Sequence, residues 1–227
     1  MRMIVAFQKT DQVRHVGHLD LMRTVQRALR RSELPIRYSQ GFNPHVVLSF
    51  ASPLPVGTSG DEELFEVSLA TDCKEATFQE SLARAMPASL PILRVRAVAD
   101  THPKLMASLA MADYRALFAN DDAARMMQAS IPALLEKQEL VALRKTKSGE
   151  KPCDIRPMLH QLDAESADEN IAFSFRCSLT ERETLKPELL LRTLSQIAGV
   201  EMPVYRLTRK QLLALENGRA INLMEFA

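Results

Sequence analysis

The chain has 227 residues, 46% of them apolar and 25% charged, with a formal net charge of +1. That length fits one large domain or two of roughly 100 residues, with apolar surface enough for a core. It is no polycation, and no apolar run approaches the roughly 18 residues of a membrane helix. The start lacks the long apolar run and small-residue cleavage site of a secretory signal, so a soluble, cytoplasmic protein without membrane association is expected. Cys73, Cys153 and Cys177 are odd in number and widely spaced. They predict neither a disulfide framework nor a CxxC zinc clamp. The chain also lacks the closely spaced thiolates that hold a [4Fe–4S] cluster.

Residues 2–9 read as a central strand, apolar on both faces. A helix follows from Gly17 to Ser32, with Leu21, Met22, Val25, Ala28 and Leu29 as its apolar stripe. Pro35 ends it. Residues 36–40 extend, Gly41-Phe42-Asn43-Pro44 turns, and Val46 to Phe50 is a β-type run. Pro53, Pro55, Gly57, Ser59 and Gly60 mark a loop before a strand over Leu64–Leu69. Phe78 to Met86 reads as a helix and Pro91 to Val98 as a strand. The succession is β-α-β-β-α-β, that of a split βαβ unit.

The second half is expected to repeat this order. Tyr114 to Ala119 is read as a strand, Asp121 to Lys137 as a helix and Leu140 to Lys145 as a strand. An exposed turn is expected at Lys147-Ser148-Gly149-Glu150. Residues 154–165 fit a strand, a short helix or both. Ile171 to Leu179 alternates as a strand, Pro187 to Ile197 is a helix stopped by Gly199, and Val204 to Leu207 is a strand. From Arg209 a short helix is expected, then an apolar end, Ile221 to Phe226, that packs back or docks a partner. The predicted fold is α+β, two ferredoxin-like units in tandem. They cover residues 1–100 and 101–227, with the boundary near Ala99 to Pro103.

Charge is uneven. Residues 1–50 hold eight basic side chains against three acidic ones; residues 51–100 hold four against eight. The densest polar group is His15, His18, Asp20 and Arg23 at the first helix, followed by the 41–45 loop with Phe42, Asn43 and His45. If the two segments meet at one end of the sheet, His18, Arg23, Asn43 and His45 frame an anion site. Arg27, Arg30 and Arg31 would extend it along the helix. The bland alternative is that His18, Asp20 and Arg23 fasten the helix start, with the arginines a solvated face. Phe42 either plugs the core or offers a stacking face to a base. His15, His18 and His45 are metal-ligand types, but without a carboxylate set of recognised spacing no metal is expected.

The pieces Lys9-Thr10, Gly17-His18-Leu19-Asp20, Arg23, Gly41 to Pro44, Pro53-Leu54-Pro55-Val56-Gly57 and Glu63 to Leu69 occur in order. Asp154-Ile155-Arg156-Pro157 follows in the second half. In these the chain resembles the radical-SAM-linked protein family, a domain found beside or fused to radical SAM proteins. It departs from that pattern at Gly17, usually serine, and at Val46, often proline. The resemblance implies a radical SAM partner, which would carry the iron–sulfur cluster and S-adenosylmethionine, and a setting in RNA metabolism. The chain itself, without cluster cysteines, is not a radical SAM enzyme and is expected to carry no cofactor. Three functions stand. The first is a non-catalytic accessory protein that binds tRNA or rRNA. The second is a metal-independent RNA-processing enzyme with catalytic candidates His18, Asp20 and His45. The third is a protein-interaction adaptor using the apolar tail, Leu105-Met106 and Met126-Met127.

Overall fold

The computed structural model describes residues 1–146 and 149–226. Lys147 and Ser148 of the expected turn lie outside the described residues. The chain is a mixed α+β protein of two compact units, residues 1–109 with 209–227, and residues 110–208. Among the described residues no helix is long and apolar enough to cross a membrane.

The first unit opens with β1 (Arg2–Lys9), then α1 (His18–Arg31), β2 (Leu48–Phe50), β3 (Thr58–Ser68), α2 (Glu75–Ala85), β4 (Ile92–Val98) and the one-turn α3 (Leu105–Ser108). β1 pairs antiparallel with β3 and β4, and β2 pairs antiparallel with β3. The order along the sheet is therefore β4-β1-β3, and the short β2 covers only part of the far edge of β3. Strand alternation sends Met3, Val5 and Phe7 to one face, beside Phe65 and Val67. On that face they pack with Leu21, Val25, Ala28 and Leu29 of α1 and with Phe78 and Leu82 of α2. Each of the larger ones, fully buried, contributes about 1.5–3 kcal/mol of transfer free energy. The apolar stripe read in residues 21–29 is this contact.

In the second unit the strands and helices are β5 (Leu109–Ala119), α4 (Asp122–Ala129), α5 (Ile131–Leu135), β6 (Val141–Thr146), β7 (Gly149–Asp154), β8 (Leu159–Ser166), β9 (Asn170–Ser178) and α6 (Pro187–Ala198). β10 (Tyr205–Glu216) starts here, and β11 (Arg219–Asn222) ends the chain's regular structure. β9 lies between β5 and β8, and β10 lies on the other side of β5. β6 and β7 form a separate ribbon.

Several expectations need correction. The helix read over 121–137 is two helices, because Pro132 lacks the N–H needed to continue one and instead opens the second. Residues 36–40 form no strand; Ile36 and Tyr38 make isolated bridges. The tail from Arg209 is not a helix. It completes β10, turns at Asn217-Gly218, both at positive φ, and returns as β11. Asn-Gly favours this left-handed hairpin turn. Because this tail pairs beside β3, the chain does not divide at residue 100 into two consecutive halves. The apolar end is occupied: Leu223 and Met224 are buried, and Arg96 donates to the carbonyls of Met224 (2.8 Å) and Phe226 (2.9 Å).

Candidate nucleic-acid interface and a buried charge cluster

The structure separates what the sequence places together. Residue His18 lies at the Lys9 end of the sheet, its ring edge-on to Phe50 at 5.2 Å. α1 then runs back towards the Met1 end. There Leu69 N–H donates to the Met1 carbonyl, Ile36 bridges Leu69, and Tyr38 bridges Val46. Phe50 sits opposite Phe65, whereas the register places Val46 beyond Val67. Five strand residues at about 3.4 Å each set His18 and His45 roughly 17 Å apart along the sheet. The expected cleft of His18, Arg23, Asn43 and His45 does not form, and a shared two-histidine site has no geometric basis.

At the Met1 end stands a hairpin. Ser39 N–H donates to the His45 carbonyl at 2.9 Å, and His45 N–H donates to Ser39 Oγ at 3.1 Å. The same hydroxyl meets His45 Nδ1 at 2.8 Å. Gly41, at φ +122°, lets the tip reverse. Phe42 at that tip is fully exposed, and Asn43 and His45 are exposed beside it. Phe42 does not plug the core.

α1 brings arginines towards this end. Arg23, Arg27, Arg30 and Arg31 are all exposed. Arg23 pairs with Asp20 at 3.0 Å, as the bland reading of the helix start expects. Arg27 and Arg30 have no ion pair among the described residues, and Arg31 donates to the Ala85 carbonyl at 2.8 Å. An open crevice of about 420 Å³, bordered by Arg31, Ser32, Glu33, Ser81 and Arg84, lies where α1 ends.

At the opposite end is a cluster that sequence reasoning missed. Lys9, Glu63 and Arg209 are 1%, 2% and 1% exposed. Arg209 grips Glu63 with two bonds, Nε at 2.8 Å and Nη2 at 2.5 Å, and donates to the Ser52 carbonyl at 3.1 Å. The Lys9 ammonium donates to the carbonyls of Arg14 (2.9 Å) and Thr58 (3.1 Å). Gly60 lies opposite Lys9, and a Cβ there would stand 2.6 Å from Glu63 Cγ, so only glycine fits without moving the carboxylate. Burial pushes the Lys9 pKa below its ordinary value; Glu63 opposes this and Arg209 adds to it.

His18 borders the cluster. Its Nδ1 is buried without a hydrogen-bond partner. Burial, then the Arg209 charge, lowers its pKa below 6.5, with Glu63 acting the other way. The native state therefore binds fewer protons than the unfolded chain as pH falls below about 6.5, and stability drops there. His18→Gln is expected to lose less stability than the wild type between pH 7 and pH 5, measured by urea midpoints. Equal losses would remove His18 from the acid response; His102 and His160, also lowered, remain as common background.

The adaptor residues split. Leu105 and Met127 are core, while Met106 and Met126 are half exposed. Among the described residues no three His, Cys, Asp or Glu side chains gather as metal ligands.

A family model described as an uncharacterized protein conserved in bacteria, DUF2344, matches residues 2–187. No curated protein matches the chain. Among solved structures the chain is similar to a chain of a Cbf5–Nop10–Gar1 complex, at 10% identity and a TM-score of 0.52, over 92% of this chain and 48% of that one. That similarity is one of fold, and this chain spans about half the length of that one. A second structure, an unknown protein from Galdieria sulphuraria, aligns over 92% of this chain and 97% of its own at 12% identity, with a TM-score of 0.26.

Proposed function

The chain belongs to the DUF2344 family of uncharacterized proteins conserved in bacteria, and from its own surfaces we propose that it is an RNA-binding accessory protein. Its first unit holds the RNA: the arginine ridge of α1 tracks phosphates and the Phe42 hairpin stacks on a base. The observation that carries this is Phe42 itself, an apolar ring left fully in water on a hairpin whose backbone is hydrogen-bonded shut. Base stacking on an aromatic contributes about 1–3 kcal/mol. Exposed guanidinium groups along α1, and Arg84 across the crevice, supply the charge that a phosphodiester chain matches.

The radical SAM partner is proposed from the sequence resemblance alone. In this reading that enzyme brings the iron–sulfur cluster and S-adenosylmethionine, and this chain brings the RNA. Affinity purification of the chain from ribonuclease-treated bacterial extract, followed by iron analysis and mass spectrometry, tests the partnership. Recovery of no radical SAM protein would discard it while leaving RNA binding intact.

Filter binding to a single-stranded RNA at several salt concentrations tests the RNA reading. Log affinity is expected to fall linearly with log salt. Phe42→Ala is expected to weaken binding by about 5- to 150-fold with an unchanged salt slope, since stacking carries no counterion. No detectable wild-type binding at low salt would overturn the proposal.

A further inference from the structure

The second unit carries a basic crevice that the first unit's surface does not explain. It lies between β6 and α6 and holds about 90 Å³, lined by Leu143, Arg144, Lys186, Glu188, Leu189 and Arg192. The one carboxylate is already taken: Arg192 Nη2 stands 2.6 Å from Glu188 Oε1. Arg144 and Lys186 have no carboxylate partner among the described residues. The ribbon register adds to this excess, because Arg144 lies directly opposite Lys151. Like charges opposed across a β-ladder destabilise it, and an anion between or beside them relieves the repulsion. The floor is apolar on one side, where Leu143 is 57% exposed.

We propose that this crevice binds a phosphate group of an RNA backbone. The inference rests on the RNA-binding reading above and gives the second unit a contact of its own. The crevice presents guanidinium and ammonium groups and no aromatic face, a lining that suits a phosphate group and does not read a base. What binds is thus selected by charge and not by sequence. Arg144 offers a planar fork, Lys186 a point charge, and the exposed leucine an apolar edge for the adjoining ribose.

The test uses the isotope-labelled full chain and reads the backbone amides of Arg144, Glu188 and Leu189 by NMR. Two probes are titrated separately, inorganic phosphate and a single-stranded RNA 12-mer. Both are expected to move these amides saturably, in the wild type and in the Arg27→Glu/Arg30→Glu variant of the first unit. Arg144→Gln/Lys186→Gln is expected to abolish the movement and to lower the salt slope of RNA binding by about 1, the share of one phosphate. If phosphate leaves these amides unmoved, the site is refuted, whether or not RNA binds elsewhere. If phosphate moves them and RNA does not, the crevice is a free-phosphate site and the proposal falls. RNA binding undiminished in the first-unit variant, with the phosphate response intact, would count against the first unit's reading only.

Discussion

Arg209→Met is expected to lower the free energy of unfolding by about 3–5 kcal/mol, the cost of stranding one partner of a buried ion pair. Both members are almost wholly sealed, at 1% and 3% side-chain exposure, and Arg209 also holds the Ser52 carbonyl. Removing the guanidinium leaves the Glu63 carboxylate in low dielectric with the Lys9 ammonium nearby as the remaining compensating charge. A loss of that size is a large share of the roughly 5–15 kcal/mol that keeps a domain folded. Glu63→Leu/Arg209→Met is expected to recover only part of the loss, because Lys9 then stays buried with carbonyl partners and no carboxylate. Adding Lys9→Met removes the last charge and is expected to recover more. Urea denaturation of the four proteins decides it. A loss below about 1 kcal/mol for Arg209→Met would mean that water reaches the pair and that the cluster is not the fastening described here.

This cluster also shows where sequence reading stops. Lys9 and Glu63 both stood in the pieces that resemble a known family, but their burial was not legible. The partners are far apart in sequence, with Glu63 and Arg209 separated by 146 positions. A short helix is expected from Arg209, and Gln211, Leu212, Leu213, Ala214, Leu215 and Glu216 are indeed helix formers. Tertiary pairing beside β3 overrode that propensity. The Asn217-Gly218 turn was the local signal against a helix there. By contrast, the α1 stripe was readable because Leu21, Val25, Ala28 and Leu29 repeat at the helical period, and all four are buried. The α+β class followed from such patterns. The site fared worse. Sequence supplied His18 and the 41–45 loop as polar groups, but not the direction in which α1 carries the chain back across the sheet. That direction puts the imidazole with Glu63 and Arg209, and the loop with the far end of the arginine ridge.

Arg27→Glu/Arg30→Glu is expected to weaken RNA binding by about 100-fold at 0.1 M salt and to reduce the salt slope by about 2. Each phosphate contact contributes close to one unit of slope, so at 0.1 M each contributes about a factor of 10. Reversal rather than neutralisation adds repulsion to the lost contact, so 100-fold is the smaller end. The fold should not suffer. Both side chains are exposed, and neither makes an ion pair among the described residues. Acidic groups near a helix C-terminus oppose the dipole by only about 0.3–1 kcal/mol. Circular dichroism and the urea midpoint check that point before binding is read. The expected pattern is distinct from that of Phe42→Ala, which removes affinity without changing the slope. A steep salt slope that survives the double reversal would place the phosphate contacts somewhere other than α1. The exposed arginines would then be the solvated helix face that charge runs on helices usually are.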